Sequence, residues 1–76
     1  MLKLRLLHYL AEVGHADAHE MAAAFELQYA TSAMALLRLT RQGLAVRHLD
    51  PDNGVYWYTL SERGWQRRIY LQALQP

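Results

Sequence analysis

A change of periodicity occurs within the stretch LLRLTRQGLAVRHL, residues 36–49. Small and apolar residues from Ser32 to Leu39 recur at spacings of three and four, which is typical of one helix face. This stripe consists of Ser32, Ala35, Leu36 and Leu39. Gly43 stands where a left-handed residue often ends a helix, and from Leu44 onward the residues alternate as in a strand. The stretch therefore predicts a helix over residues 30–42 that runs directly into a strand.

A second strand is predicted after a turn. The segment DPDNG, residues 50–54, contains a proline with a fixed φ and an Asn-Gly pair that tolerates positive φ. The segment VYWYTL, residues 55–60, is β-branched and aromatic, which favours a strand that forms a β-hairpin with the first. Ser61 can then cap a last helix over residues 62–74.

Two further helices are predicted before residue 30. Apolar residues recur at helical spacing over residues 2–13, and Gly14 follows as a helix end. The expected buried stripe consists of Leu2, Leu6, Leu7, Leu10 and Val13. Asp17 and Glu20 have the spacing of a capping box, so a short helix should begin at Ala18. The order is helix, helix, helix, hairpin, helix, which is an α+β fold, mostly α, in a single domain over residues 1–76.

The composition excludes several classes of protein. The 76 residues are 53% hydrophobic and 20% charged, as in a globular domain, and the absence of cysteine excludes disulfides and thiolate chemistry. Residues 1–37 contain two basic and four acidic residues, whereas residues 38–76 contain six arginines and three acidic residues. No apolar run approaches the ~20 residues of a membrane span, and the first helix is too interrupted for a secretory signal. We therefore expect a cytoplasmic protein with an arginine-rich second half that favours an anionic partner.

Two motifs in this order resemble the winged helix-turn-helix domains of MarR-, PadR- and ArsR-type regulators. Residues 36–47 are similar to the end of a recognition helix that enters the first wing strand. Residues 58–64, YTLSERG, are similar to the leucine, hydroxyl residue and glycine that follow the wing. The resemblance implies a fold of three helices, a β-hairpin wing and a C-terminal helix. It also implies a transcriptional regulator whose third helix lies in the major groove of double-stranded DNA.

The outward side of the third helix contains the candidate DNA contacts. Gln28 and Thr31 can hydrogen-bond base edges, and Ala33 or Thr31 can touch a thymine methyl group. Arg38 is placed to reach guanine or phosphate, and Arg41 to reach phosphate, although both cations also suit the C-terminal end of a helix without any ligand. The predicted DNA-binding residues are Gln28, Tyr29, Thr31, Ala33, Met34, Arg38, Arg41 and, at the base of the wing, Arg47.

Three features count against strong DNA binding. Met34 and Leu37 are apolar on the side that should meet a polar groove. The wing tip carries Asp50 and Asp52 and no basic residue, so it has no arginine to insert into a minor groove. Glu26 stands where such turns often have glycine, and the third helix lacks a strong N-cap. These features predict weak or partner-assisted binding.

The alternative hypothesis is a protein-interaction adaptor on the same scaffold. If alternate strand residues face the core, beginning at Tyr56, then Trp57 turns outward as an exposed aromatic contact. The contact surface would consist of Leu49, Trp57, Met34 and Leu37. Winged-helix adaptors of the FeoC type are similar over the first part of the chain. Because this chain has no wing cysteines, no iron–sulfur role is expected.

Self-association is expected under either hypothesis. The last helix has more than one apolar stripe, so one stripe can cover the core while another contacts a second subunit. The predicted dimer or partner contacts are Trp57, Trp65, Ile69, Tyr70, Leu71 and Leu74. We expect a homodimer, in which two recognition helices can reach successive major grooves ~34 Å apart.

An enzyme is not expected. His15 and His19 have metal-ligand chemistry, but Asp17 between them should cap the helix, which leaves His15 outside it. His48 is expected to face the core as a neutral histidine. The sequence shows no glycine-rich phosphate loop and no nucleophile elbow. We therefore predict no catalytic residue, no metal site and no cofactor.

Overall fold

The computed structural model describes residues 2–74. Its helices are α1 (Leu2–Val13), α2 (Ala18–Phe25), α3 (Tyr29–Arg41) and α4 (Glu62–Ala73), and its strands are β1 (Ala16–Asp17), β2 (Ala45–Leu49) and β3 (Tyr56–Leu60). The predicted winged helix-turn-helix architecture, α+β and mostly α, is confirmed. The third helix begins and ends one residue earlier than the range 30–42.

The sheet has a third strand that the sequence does not indicate. β1 pairs antiparallel with β3, and β2 pairs antiparallel with the other edge of β3, so the strand order is β1-β3-β2. Ala16 lies opposite Tyr58, and Asp17 lies opposite Trp57. A strand of two residues is too short to carry a periodic pattern. It forms because α1 and α2 place it against the free edge of the wing.

The core is built around α1, which packs against both α4 and β3. Leu7 and Leu10 of α1 are buried together with Met21 of α2 and Leu36 of α3. The ends of the predicted α1 stripe are different, because Leu2 and Val13 are nearly half exposed beyond the neighbouring elements. Leu4, outside that stripe, is buried instead. A helix covered on more than one side buries more than one stripe.

A buried hydroxyl fixes α3 against α2. Ser32 is fully buried, and its Oγ donates a hydrogen bond of 2.8 Å to the carbonyl oxygen of Ala18. Asp17 caps α2 as predicted: its side chain accepts from the N–H of Glu20, while the Glu20 carboxylate accepts from the N–H of Asp17. The first turn of α2 therefore holds both the capping box and the anchor of α3.

The wing is fixed to α4 by a close backbone approach. A Cβ on Gly64 would overlap the carbonyl oxygen of Leu44, at the start of β2. Ser61 caps α4 by accepting from the N–H of Gly64 at 3.0 Å, and its hydroxyl donates to the carbonyl oxygen of Gly43 at 2.6 Å. Gly43 itself has a φ of +74°, which a side chain disfavours. The motif of residues 58–64 is thus the attachment of the wing to the last helix.

Candidate nucleic-acid interface

The outer side of α3 is open along its length in this chain. All of the predicted DNA contacts on α3 and at its N-cap are exposed except Ala33: Gln28, Tyr29, Thr31, Met34, Arg38 and Arg41. Gln28 precedes the helix in an extended conformation and makes no side-chain capping hydrogen bond, as the sequence predicts. The first N–H groups of α3 therefore have no side-chain acceptor and are available to an anion.

Two residues of this helix lie at the edge of the open side. Ala33 is half-buried and packs against the core, and Leu37 is also half-buried. Ala33 was expected to point outward, and its position is corrected here. Ser32, the residue before it, is held in the interior by its hydrogen bond to α2. In this orientation of α3, Ala33 lies beside Tyr56 and Tyr58 of the wing. The large apolar side chains exposed on this side are Tyr29, at 53%, and Met34, at 44%.

The turn between α2 and α3 has a left-handed residue that is not glycine. Glu26 has φ 54° and ψ 44°, and its N–H donates to the carbonyl oxygen of Ala22. The N–H of Leu27 donates to the same oxygen at 2.9 Å. The expectation from the sequence that this position suits glycine agrees with its conformation. This tight turn sets the direction in which α3 leaves α2.

The wing tip is acidic and internally hydrogen-bonded. The Asp50 carboxylate accepts from the N–H of Asp52, and the Asn53 side chain accepts from the N–H of Val55, both at 2.9 Å. Gly54 has a φ of +70° and completes the turn. The tip therefore presents carboxylates, while its backbone donors are partly used within the turn.

The base of the wing carries the opposite charge. The guanidinium carbon of Arg47 lies 4.3 Å from the ring centre of Tyr56. Both residues are exposed on the sheet face that continues toward α3. Tyr56 was expected to face the core, which is wrong: it begins β3, opposite Leu49, and is 43% exposed. The predicted phosphate contact Arg47 is thus held against an aromatic ring beside α3.

Trp57 is not the exposed aromatic that the adaptor hypothesis requires. It is half-buried, because His48 stacks on it at 4.1 Å between ring centres and His15 approaches it edge-on at 5.5 Å. His48 was expected to face the core, but strand pairing places it on the opposite face, where its Nε2 lies 3.1 Å from the Thr59 hydroxyl. Leu49 is exposed, but Trp57 does not extend the exposed apolar surface beside it.

The last helix presents an apolar outer side. Its exposed apolar residues are Trp65, Ile69, Tyr70 and Leu74, with Ile69 and Leu74 each about 60% exposed. Leu71 does not belong to this group, because it is only 8% exposed and packs in the core. Its assignment as a subunit contact is therefore corrected. Since α4 packs on α1, Leu71 fills the contact between these two helices.

Residues 2–74 contain no group of three histidine, cysteine or acidic side chains arranged to hold a metal ion. The ring of His19 lies against Tyr29 at 4.3 Å between centres, while His15 lies against Trp57. The two histidines of the HADAH segment therefore contact different aromatic residues. No helix in the same described range is long and apolar enough to cross a membrane.

Comparison with known proteins identifies the fold through solved structures. No family model and no curated protein matches the chain. The YusO protein of Bacillus subtilis matches with a TM-score of 0.87 and 21% identity, over 93% of this chain and 51% of that one. A MarR family transcriptional regulator from Silicibacter pomeroyi matches with a TM-score of 0.82 and 26% identity, over 95% and 49%. The chain is a winged helix-turn-helix domain resembling MarR.

A further match is a mutant MarR from E. coli complexed with operator DNA. The TM-score is 0.86 at 15% identity, over 96% of this chain and 53% of that one. The chain therefore spans about half the length of the MarR-family proteins that it matches. At this identity the comparison establishes the fold, and the role of each side chain has to be argued from its own position.

Proposed function

We propose that this chain is the DNA-binding domain of a transcriptional regulator and places α3 in the major groove of duplex DNA. The observation that carries the proposal is the open outer side of α3, with Arg38 and Arg41 exposed on it and Arg47 beside it at the base of the wing. The structural match to a MarR bound to operator DNA supports the same role. Such a role agrees with the cytoplasmic location expected from the sequence.

The exposed residues divide into two groups by chemistry. Gln28 and Thr31 lie at the N-terminal end of α3, which is the end that meets base edges when such a helix enters the groove. Their side chains can donate to and accept from bases, and Tyr29 and Met34 complete the same surface. The three arginines lie further along and beside the helix, where they neutralise phosphates. Sequence preference is thus assigned to the start of α3 and affinity to its second half.

Salt dependence of binding tests this assignment. A duplex selected from randomised DNA is titrated with the chain over a range of salt concentrations, with fluorescence anisotropy as the readout. Each neutralised phosphate contributes about 0.9 to the slope of log K against log salt. The double variant Arg38→Ala/Arg41→Ala should reduce that slope by about 1.8. Arg38→Ala alone should reduce it by about 0.9. Arg5→Ala, which removes the same single charge from α1, should leave it unchanged.

The proposal fails if the wild-type chain binds no selected duplex at low salt. It also fails if Arg5→Ala lowers the slope as much as Arg38→Ala does. The second result would mean that the chain attracts DNA by its overall charge rather than through α3.

We also infer that α4 provides a contact between two copies of the chain. Ile69, Tyr70 and Leu74 form a largely exposed apolar group on its outer side, which a second copy could bury. Light scattering should give twice the 8.8 kDa of one chain. Ile69→Asp should return it to the monomer mass, while Leu49→Asp, at an exposed aliphatic residue outside α4, should not. A wild-type mass of one chain at micromolar concentration contradicts this inference.

A further inference from the structure

A cleft of about 180 Å³ lies between the N-terminal end of α3 and the beginning of β3. Its side-chain lining includes His19, Tyr29, Ala33, Val55, Tyr56 and Tyr58. We call it the tyrosine cleft. Within the described part of the chain no acidic residue lines it, in contrast to the neighbouring wing tip. Four of these residues are absent from the DNA contacts predicted above: His19, Val55, Tyr56 and Tyr58.

The floor of the tyrosine cleft holds a phenol without a partner. Tyr58 is 6% exposed, and its hydroxyl makes no hydrogen bond with another residue of the range 2–74. A tyrosine hydroxyl at such a buried position usually has a partner. No fully enclosed polar side-chain atom in this range lacks a hydrogen bond, so the Tyr58 hydroxyl reaches open space in the cleft. It can therefore donate a hydrogen bond to a ligand that enters the cleft.

The walls of the cleft add donors and a positive charge. The Tyr56 ring carries the Arg47 guanidinium at 4.3 Å from its centre. On the other side, Tyr29 begins α3, whose leading N–H groups have no side-chain acceptor from Gln28. The His19 ring holds the Tyr29 ring in place at 4.3 Å between centres. A site with several donors, one adjacent cation and no lining carboxylate is suited to an anionic oxygen ligand.

The position of the cleft identifies that ligand. A duplex that receives α3 in its major groove presents the adjacent minor groove to the wing, and one sugar-phosphate strand separates the two grooves. That strand has to cross between α3 and β3, where the cleft lies. We propose that the tyrosine cleft binds one phosphodiester of the DNA backbone, with the hydroxyls of Tyr56 and Tyr58 as donors. This inference depends on the proposed function.

The tyrosine contacts differ from arginine contacts in a measurable way. A phenol is neutral, so its loss removes a hydrogen bond to phosphate without changing the number of released counterions. We expect Tyr56→Phe and Tyr58→Phe each to weaken duplex binding about tenfold at fixed salt. The slope of log K against log salt should stay at the wild-type value. Arg38→Ala, by contrast, should lower both the affinity and the slope.

A matched variant controls for the loss of a tyrosine hydroxyl in general. Tyr9 on α1 packs edge-on against Phe25 at 5.4 Å and does not line the cleft, so Tyr9→Phe should bind DNA as the wild type does. Tyr56 is exposed, and its variant tests the cleft even if Tyr58→Phe disturbs the fold. Thermal unfolding of each variant, followed by circular dichroism, identifies such a disturbance.

Single methylphosphonate replacements along the selected duplex locate the contact. At the phosphate that the cleft binds, the replacement should weaken binding of the wild type. It should weaken binding of Tyr56→Phe less, because the replacement and the substitution remove the same hydrogen bond. The inference is overturned if the wild type binds DNA and both tyrosine variants bind it as tightly as the wild type does. If the wild type binds no duplex at all, the proposed function fails together with it, which is a different result.

Discussion

The two parts of the molecule that would face a DNA duplex under the proposed function differ in charge. The outer side of α3 carries Arg38 and Arg41 and no acidic residue, whereas the tip of the wing carries Asp50 and Asp52 and no basic residue. Between them, at the base of the wing, Arg47 stacks on Tyr56. If the proposed function holds, we expect the base of the wing to contribute to DNA binding while the carboxylates of its tip are repelled by the phosphates. Affinity should then depend on α3 and on the region where β2 and β3 approach it.

The attachment of the wing gives the largest expected effect. Gly64→Ala places a Cβ where the Leu44 carbonyl oxygen lies, so the backbone of α4 or β2 has to move. We expect a loss of about 3 kcal/mol in the free energy of unfolding, measured in urea. Gln66→Ala, at an exposed position two residues along α4, should change it by less than about 0.5 kcal/mol. Equal stabilities of the two variants would contradict the close approach.

The attachment of α3 is expected to have the next largest effect. Ser32→Ala removes the buried hydrogen bond to the Ala18 carbonyl oxygen and should cost about 1–2 kcal/mol of unfolding free energy. Thr31→Ala, on the exposed side of the same turn, should leave stability nearly unchanged and weaken duplex binding instead. If Thr31→Ala lowered stability and Ser32→Ala only weakened duplex binding, the outer side of α3 would be wrongly assigned.

The sequence predicts the parts of this fold that depend on local chemistry. Asp17 with Glu20, the left-handed Gly43 and the Ser61 cap are each decided within a few residues of the chain, and all are present. Strand β1 and the burial of Leu71 depend on what packs against them, and the sequence does not show this.

The candidate site divides in the same way. The exposed residues of α3 follow from helical spacing. The tyrosine cleft does not, because it joins residues from α2, α3 and β3. Trp57 is shielded from solvent by the rings of His15, which precedes β1, and His48, which lies in β2. A tyrosine with no hydrogen-bond partner is recognisable only when its surroundings are known.

The charge contrast can be reversed at the wing tip, with a smaller effect. Asp52 is exposed, and Asp52→Lys would replace a carboxylate by a cation at the tip. We expect duplex binding to strengthen several-fold and the salt slope to rise by about 0.9 for one further phosphate contact. Asp52→Asn should strengthen binding without that rise in slope. Unchanged binding and an unchanged slope for Asp52→Lys would contradict this expectation and would mean that the tip faces away from the duplex.

The smallest expected effect concerns the turn between α2 and α3. Glu26→Gly relieves a left-handed conformation that costs an ordinary residue roughly 1 kcal/mol, so the protein should be stabilised by up to about that amount. Ala23→Gly, the same replacement inside α2, should destabilise by about 0.5–1 kcal/mol. Thermal denaturation compares the two, and a loss of stability in Glu26→Gly would contradict the strain.

Dimethyl sulfate protection of the selected duplex tests most directly that α3 occupies the major groove while the acidic wing tip leaves the minor groove open. The reagent methylates guanine at N7, in the major groove, and adenine at N3, in the minor groove, so one experiment reports on both. The account predicts protection of guanine N7 under the bound chain and continued methylation of adenine N3 beside it. Protection of adenine N3 with guanine N7 left reactive would contradict it.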